Sequence, residues 1–119
     1  MKKVNITEGI KEIDDYWSPV MVGTVNDHDV KIAKFKGEFD WHHHSDTDEL
    51  FLILKGKVQI ELENESKALN EGDIFVVKKG MSHKPVAQEE AHVLMIERSG
   101  TINTGNLVNE RTKTNLKTL

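Results

Sequence analysis

The chain contains no cysteine. That absence excludes disulfides, thiolate catalysis, Cys-ligated zinc and iron–sulfur clusters together, and leaves His, Asp and Glu as the strong metal ligands. A surplus of positive charge is also missing: 16 Lys+Arg stand against 20 Asp+Glu, a formal net charge of -4. With nothing spare to neutralise phosphates, nucleic acid is not an expected partner. Long apolar runs are absent too. The longest, Leu50 to Leu54, is far too short to span a bilayer, and Met1-Lys2-Lys3-Val4-Asn5 leads into no apolar stretch. No membrane association is expected, and the sequence reads as cytoplasmic. The patterns H-E-x-x-H and G-x-S-x-G, a Walker loop and a dinucleotide fingerprint do not occur, and no Ser, His and Asp residues suggest a triad. Nucleophilic catalysis is not expected, nor is an organic cofactor.

What is present is an ordinary globular composition, 37% hydrophobic and 30% charged over 119 residues. At roughly 100–200 residues per domain this predicts a single domain, with a core over about 17–98, an N-terminal arm over 1–16 and a C-terminal strap over 99–119. The apolar period is mostly two, in short segments punctuated by Gly, Asn and Asp, which is an all-β pattern. Ile6, Ile10, Ile13 and Trp17 instead recur at helical spacing, so a short N-terminal helix is predicted, weakened by Gly9. Val20-Met21-Val22 and Val30 to Phe35 flank the polar cluster Asn26 to Asp29 and read as a hairpin, with Val30, Ile32 and Lys34 on one face. Further strands are predicted at 38–44, 49–54, 57–62, 73–77, 83–87 and 92–97, the last two joined around Gln88 to Glu90. About eight short strands suit a jelly-roll β-barrel of two antiparallel sheets. In Lys57 to Leu62, alternation puts Val58, Ile60 and Leu62 inside. The strap after Gly100 has too few apolar residues for a core of its own.

Six histidines are present, three of them consecutive in Trp41-His42-His43-His44. On a strand, alternate side chains share a face, so His42 and His44 form a two-toothed clamp while His43 points away. The turn through Ser45 to Asp48 brings Glu49 beside them, and the block from Gly72 to His83 presents another His after a turn. Alternation also places Phe39 and Trp41 opposite the clamp. His28 reads as solvated and His92 as a barrel-end or core residue. Asp46, Asp48, Lys78 and Lys79 read as loop charges, and Glu97 and Arg98 as an exposed pair at a strand end.

These two histidine blocks, with their glycines, resemble the cupin superfamily. The first cupin motif, G-x5-H-x-H-x3–4-E-x6-G, falls on Gly37, His42, His44, Glu49 and Gly56, with the first gap one residue short. The second, G-x5-P-x-G-x2-H-x3-N, falls on Gly72, Gly80 and His83, with Lys78 in place of proline and Ala87 in place of asparagine. These departures touch loop geometry and the contact the asparagine would make, and remove no ligand. Trp17-Ser18-Pro19, Trp41-His42, Asp48-Glu49-Leu50-Phe51 and Thr101 to Gly105 resemble a group of small bacterial cupins labelled mannose-6-phosphate isomerase-related. The resemblance implies a jelly roll holding one divalent transition metal, Fe, Mn, Ni, Zn or Co, on His42, His44, Glu49 and His83. Such an N3O set argues against Ca and Mg, which prefer oxygen. It further implies a homodimer and a small-molecule ligand or substrate. A dioxygenase- or isomerase-type enzyme fits, as does a non-catalytic binding or sensing module. A structural role, with the metal only clipping the barrel, is a third reading. Further titratable groups facing the cavity would favour catalysis, and a wholly apolar lining would favour binding.

Overall fold

The structure is a computed structural model and describes residues 2–119. The helix comes first. Asn5 caps α1 (Ile6–Lys11) by accepting a hydrogen bond from the Glu8 N–H at 3.0 Å, which satisfies one of the free amides of the first turn. Gly9 faces the barrel: a Cβ there would lie 2.7 Å from Leu119 Cδ1 and 3.3 Å from Ile32 Cδ1. The glycine that weakens the helix thus lets it sit close against the strands.

Seven strands follow: β1 (Val20–Val25), β2 (His28–Glu38), β3 (Glu49–Lys55), β4 (Val58–Leu62), β5 (Ser66–Leu69), β6 (Ile74–Val77) and β7 (His83–Arg98). All pairings are antiparallel, in the order β1-β2-β7-β3-β6, with β4 pairing both β5 and β7. The two layers therefore share β7, whose first half pairs with β4 and whose second half lies between β2 and β3. The sheet closes over a core of Trp17, Phe35, Phe39, Phe51, Ile53, Val58, Ile60, Val93 and Met95. Burying one such side chain fully contributes roughly 1.5–3 kcal/mol. Val58 and Ile60 are buried as alternation predicts, and Leu62 is half-buried.

The β1–β2 hairpin forms as predicted. Val30, Ile32 and Lys34 do share a face, but it is the outer one: Ile32 packs with Ile10, Ile13 and Val20, and Leu119 closes the same cluster. The inner face of β2 carries Asp29, Lys31, Ala33 and Phe35.

Three strand predictions need correction. Residues 83–87 and 92–97 are not a hairpin but parts of the single 16-residue strand β7. Phe35 pairs with Ala91 and Gly37 with Ala87, so Gln88 to Glu90 bulge out opposite Lys36, and the polar triplet marks that bulge. Residues 38–44 are not a regular strand: β2 ends at Glu38, and only His42 bridges to His83. Finally, Ser66–Leu69 pairs with β4 although three of its four residues are exposed, so it carries almost no apolar signal.

The C-terminal strap is docked. Met21 N–H donates to Lys117 O at 2.8 Å and Leu119 N–H to Met21 O at 2.9 Å. Among the described residues, no helix is long and apolar enough to cross a membrane.

Candidate metal centre

The irregular stretch after β2, the start of β3 and the start of β7 converge at one end of the core. His42 N–H donates to His83 O at 3.0 Å and His83 N–H to His42 O at 2.9 Å, which sets two histidines side by side on adjacent segments. Gly80 N–H donates to His44 O at 2.7 Å, joining the turn before β7 to the clamp. Asp48, read from the sequence as a solvated or turn-forming loop acid, accepts from Lys79 N–H at 2.9 Å and lies 3.5 Å from Lys78 Nζ, so it pins the same turn from the other side. Its carboxylate is held below the usual range, first by that amide.

His42, His44, Glu49 and His83 are all buried, and one donor atom from each lies within 4.8 Å of all the others. His83 Nε2 and His44 Nε2 each lie 3.3 Å from Glu49 Oε1. The opposite nitrogens are anchored: His42 Nδ1 faces Asp40 O at 2.9 Å and His83 Nδ1 faces Met81 O at 3.0 Å. A carbonyl only accepts, so each Nδ1 carries a proton and donates it, and the lone pair of a neutral ring is at Nε2.

These contacts provide a test of whether the residues fit a cation. His44 Nε2 is buried and has no hydrogen-bond partner, although it lies 3.3 Å from Glu49 Oε1. Both ring nitrogens of His83 face acceptors, and a neutral imidazole has one proton for the two. Burial, followed by the neighbouring His83, lowers His42 to about 4, so near neutral pH it offers a lone pair rather than a proton. Burial pushes the Glu49 carboxyl up, but the contacts from His44 and His83 outweigh it and hold the group well below the usual range. Three imidazole nitrogens and one carboxylate thus face a common point, and a divalent cation there would satisfy them all.

Two further residues belong to this site. Glu97, read from the sequence as exposed, is 2% exposed and sits directly across from Glu49 in the β3–β7 register. Its Oε1 accepts from Lys31 Nζ at 2.8 Å, and its Oε2 is buried without a donor. Burial, then the Glu49 charge, pushes the Glu97 carboxyl well above the usual range, against the pull of Lys31. Lys31 is likewise 2% exposed. Period two carried the signal for both: Val93, Met95 and Glu97 alternate, as do Lys31, Ala33 and Phe35, and the inner face accepts the charged members because they meet each other.

A cavity of about 30 Å³ opens beside these four residues, lined by Trp17, Phe39, His42, Glu49, Glu97 and Asn103, among others. The expectation that Phe39 and Trp41 face away from the clamp fails for Phe39. Trp41 is 45% exposed, whereas Phe39 is buried with its ring centroid 5.3 Å from that of His42. Without a regular strand from 39 to 44, strict alternation does not apply.

Of the remaining histidines, His43 lines a groove with Ser45, Asp46 and Asn106. His28 pairs with Asp27 at 2.8 Å and is half-buried. His92 pairs with Glu90 at 2.8 Å; it lies beyond the bulge of β7, not opposite Ala87.

A family model described as "Cupin domain" matches residues 29–97. The uncharacterized protein YdbB of Bacillus subtilis (strain 168) is 37% identical over 84 residues, 70% of this chain and 74% of that one. A cupin-2 domain containing protein of Shewanella frigidimarina, known from a crystal structure, is 37% identical with a TM-score of 0.78, covering 80% of this chain and 93% of that one. A Neisseria meningitidis protein, 24% identical with a TM-score of 0.75 over 82% of this chain and 100% of its own, shares the fold. With the histidine blocks, the jelly roll and these matches in agreement, the chain belongs to the cupin family.

Proposed function

We propose that this cupin is a divalent-metal-dependent enzyme acting on a small polar molecule, of dioxygenase or isomerase type, with His42, His44, Glu49 and His83 as its ligands to one Fe, Mn, Ni, Zn or Co ion. The observation that carries this reading is Glu97: a fifth titratable side chain, outside the N3O set, in the wall of the same cavity. A bound ion would supply Lewis-acid or redox chemistry and keep positions open for a bidentate ligand. The chain's own residues do the rest. Asp40 O and Met81 O fix the rings of His42 and His83, Lys31 fixes Glu97, and the aromatic wall excludes water. Glu97 Oε2 is the atom at which the protein can hold or accept a proton during turnover. Resemblance to the mannose-6-phosphate isomerase-related group enters this reading as likeness of fold and site, not of reaction. A cytoplasmic homodimer completes the proposal.

A second reading, a binding or sensing module, is favoured by the aromatic share of the lining: Trp17, Phe35, Phe39 and Phe51. The test begins with metal content by mass spectrometry on untagged protein expressed without added nickel. Near-stoichiometric metal is expected, lost in His42→Ala/His44→Ala. The metal found chooses the assay: O2 uptake for iron, isomerase or lyase screens for manganese or zinc. Glu97→Gln then separates the readings. Retained metal with lost turnover supports catalysis, and wild-type ligand affinity without turnover supports the binding module. Wild-type protein that takes up no metal even on addition would sink the enzyme reading.

A further inference from the structure

A volume of about 30 Å³ accommodates one or two water molecules and nothing larger. An organic molecule larger than this must displace part of the wall, and part of that wall belongs to the C-terminal strap. Asn103 supplies the strap's share of the lining. Two residues on, Gly105 has a positive φ of 57° and its backbone presses on the clamp: a Cβ there would lie 2.1 Å from His43 O and 3.1 Å from His42 Cδ2.

The ends of the strap are fixed. Lys31 Nζ, the group that holds Glu97, also donates to Thr101 O at 3.2 Å. At the far end Lys117 and Leu119 pair with Met21, and the Leu119 side chain packs into the cluster beneath α1. Between these anchors the fastening is polar. Asn106 N–H donates to His43 O at 3.1 Å, and His43 N–H donates to Asn106 Oδ1 at 2.9 Å. Asn109 Nδ2 donates to Asp40 Oδ2 at 3.0 Å, and Arg111 Nη1 donates to Glu38 O at 2.8 Å with its guanidinium 5.5 Å from the Phe39 ring centre. Apolar anchoring is thin here: Ile102 is 37% exposed, Val108 is 88% exposed and Leu107 is half-buried, and the one fully buried side chain of the segment, Thr104, makes its hydrogen bonds within it, to Leu107 O and Thr112 Oγ1, each at 2.7 Å. A segment with fixed ends, little buried apolar area and side-chain latches opens locally at low cost while the barrel stays folded.

We infer that residues 102–113 form a lid over the cavity, hinged between Thr101 and Lys117 and latched by Asn109 and Arg111 onto residues 38–40. The inference adds access control to the metal-centre reading and rests on that reading for its kinetic probe. A gate has a signature that a ligand or a structural residue lacks: it changes entry and exit by the same factor and leaves the equilibrium alone.

Zinc itself is the probe. Uptake of Zn²⁺ and its release to an excess of a coloured chelator are followed by stopped flow for wild type and Asn109→Ala/Arg111→Ala. Loss of the two latches is expected to raise both rate constants on the order of tenfold while their ratio, Kd, is unchanged. Unchanged rates, or weaker binding carried by release alone, would overturn the lid. Amide hydrogen exchange on the same two proteins stands independently of metal: amides of 102–113 should exchange faster than those of β7, and faster again in the variant. If wild type binds no zinc, the metal-centre reading falls by itself, and exchange decides the lid. Protection of 102–113 equal to that of β7 would then overturn it.

Discussion

Replacing Lys31 by methionine removes the ammonium that faces Glu97 Oε1 at 2.8 Å and leaves a carboxyl buried without its donor. With Glu97 pushed toward its protonated form, the loss is that of a partner to a buried neutral carboxyl, which costs about 1–3 kcal/mol, whereas exchanging both partners for apolar residues of similar size is often near neutral. Urea denaturation should therefore find Lys31→Met destabilised and Lys31→Met/Glu97→Met largely restored; a double variant as unstable as the single would refute the pairing. His42 gives the pH dependence. Its folded-state pKa is lowered to about 4 from 6.5, so between those values the unfolded chain binds a proton that the folded one refuses. The contribution of His42 to the stability of the metal-free protein is thus full above about pH 6.5 and is lost as pH drops toward about 4, by roughly 3 kcal/mol, while the raised Glu97 carboxyl contributes in the opposite sense. Unfolding of wild type and His42→Ala at a series of pH values in chelator isolates this contribution, and a constant difference between the two across the window would contradict it. The grouping of His42, His44, Glu49 and His83 was legible in the sequence from the His-x-His spacing before one turn and from the resemblance to the two cupin motifs. For Glu97 and Lys31 alternation marked the inner face, but a charge there is explained only by its partner, and theirs lies 66 positions away.

For the elements, period two located β1 to β4 and β6, since each has an apolar face that packs, β1 against the cluster under α1 and the others against the core. It failed where tertiary pairing overrides local pattern. β5 is held by the β4 ladder rather than by apolar residues, and Gln88 to Glu90 carry turn chemistry inside a continuous strand. The bulge leaves a mark on its neighbour. Gly56, in the β3–β4 turn, has φ 83°, and a Cβ on it would meet Glu90 O at 3.1 Å and Ala91 Cα at 3.3 Å. Gly56→Ala is expected to destabilise by more than about 1 kcal/mol, because both the conformation and the space belong to glycine. Gly72→Ala, whose added Cβ meets nothing within 4 Å, is the control that separates strain from crowding. Equal losses would assign the effect to φ alone.

For the whole molecule, a ligand that binds only the folded state stabilises it by mass action. Zinc at a thousandfold above its Kd should add about 4 kcal/mol, or roughly 15 °C in the thermal midpoint for a chain of this size. Calorimetry with and without chelator measures it, and His42→Ala/His44→Ala should lose the shift. The barrel closes on itself with a short helix and the C-terminus over one outer face, so the core and the donor cluster share one set of strands. Loading the cluster should therefore raise the whole transition, not one part of it. Trp17, stacked on Phe35 and Phe39 with ring centres 4.3 and 4.9 Å away, is in the cavity wall, whereas Trp41 stands half in solvent. The two indoles should emit at different wavelengths, and Trp41→Phe would leave the inner one alone. The molecule would then carry its own lamp: paramagnetic ions would quench it, zinc would not, and water admitted to the cavity would redden it.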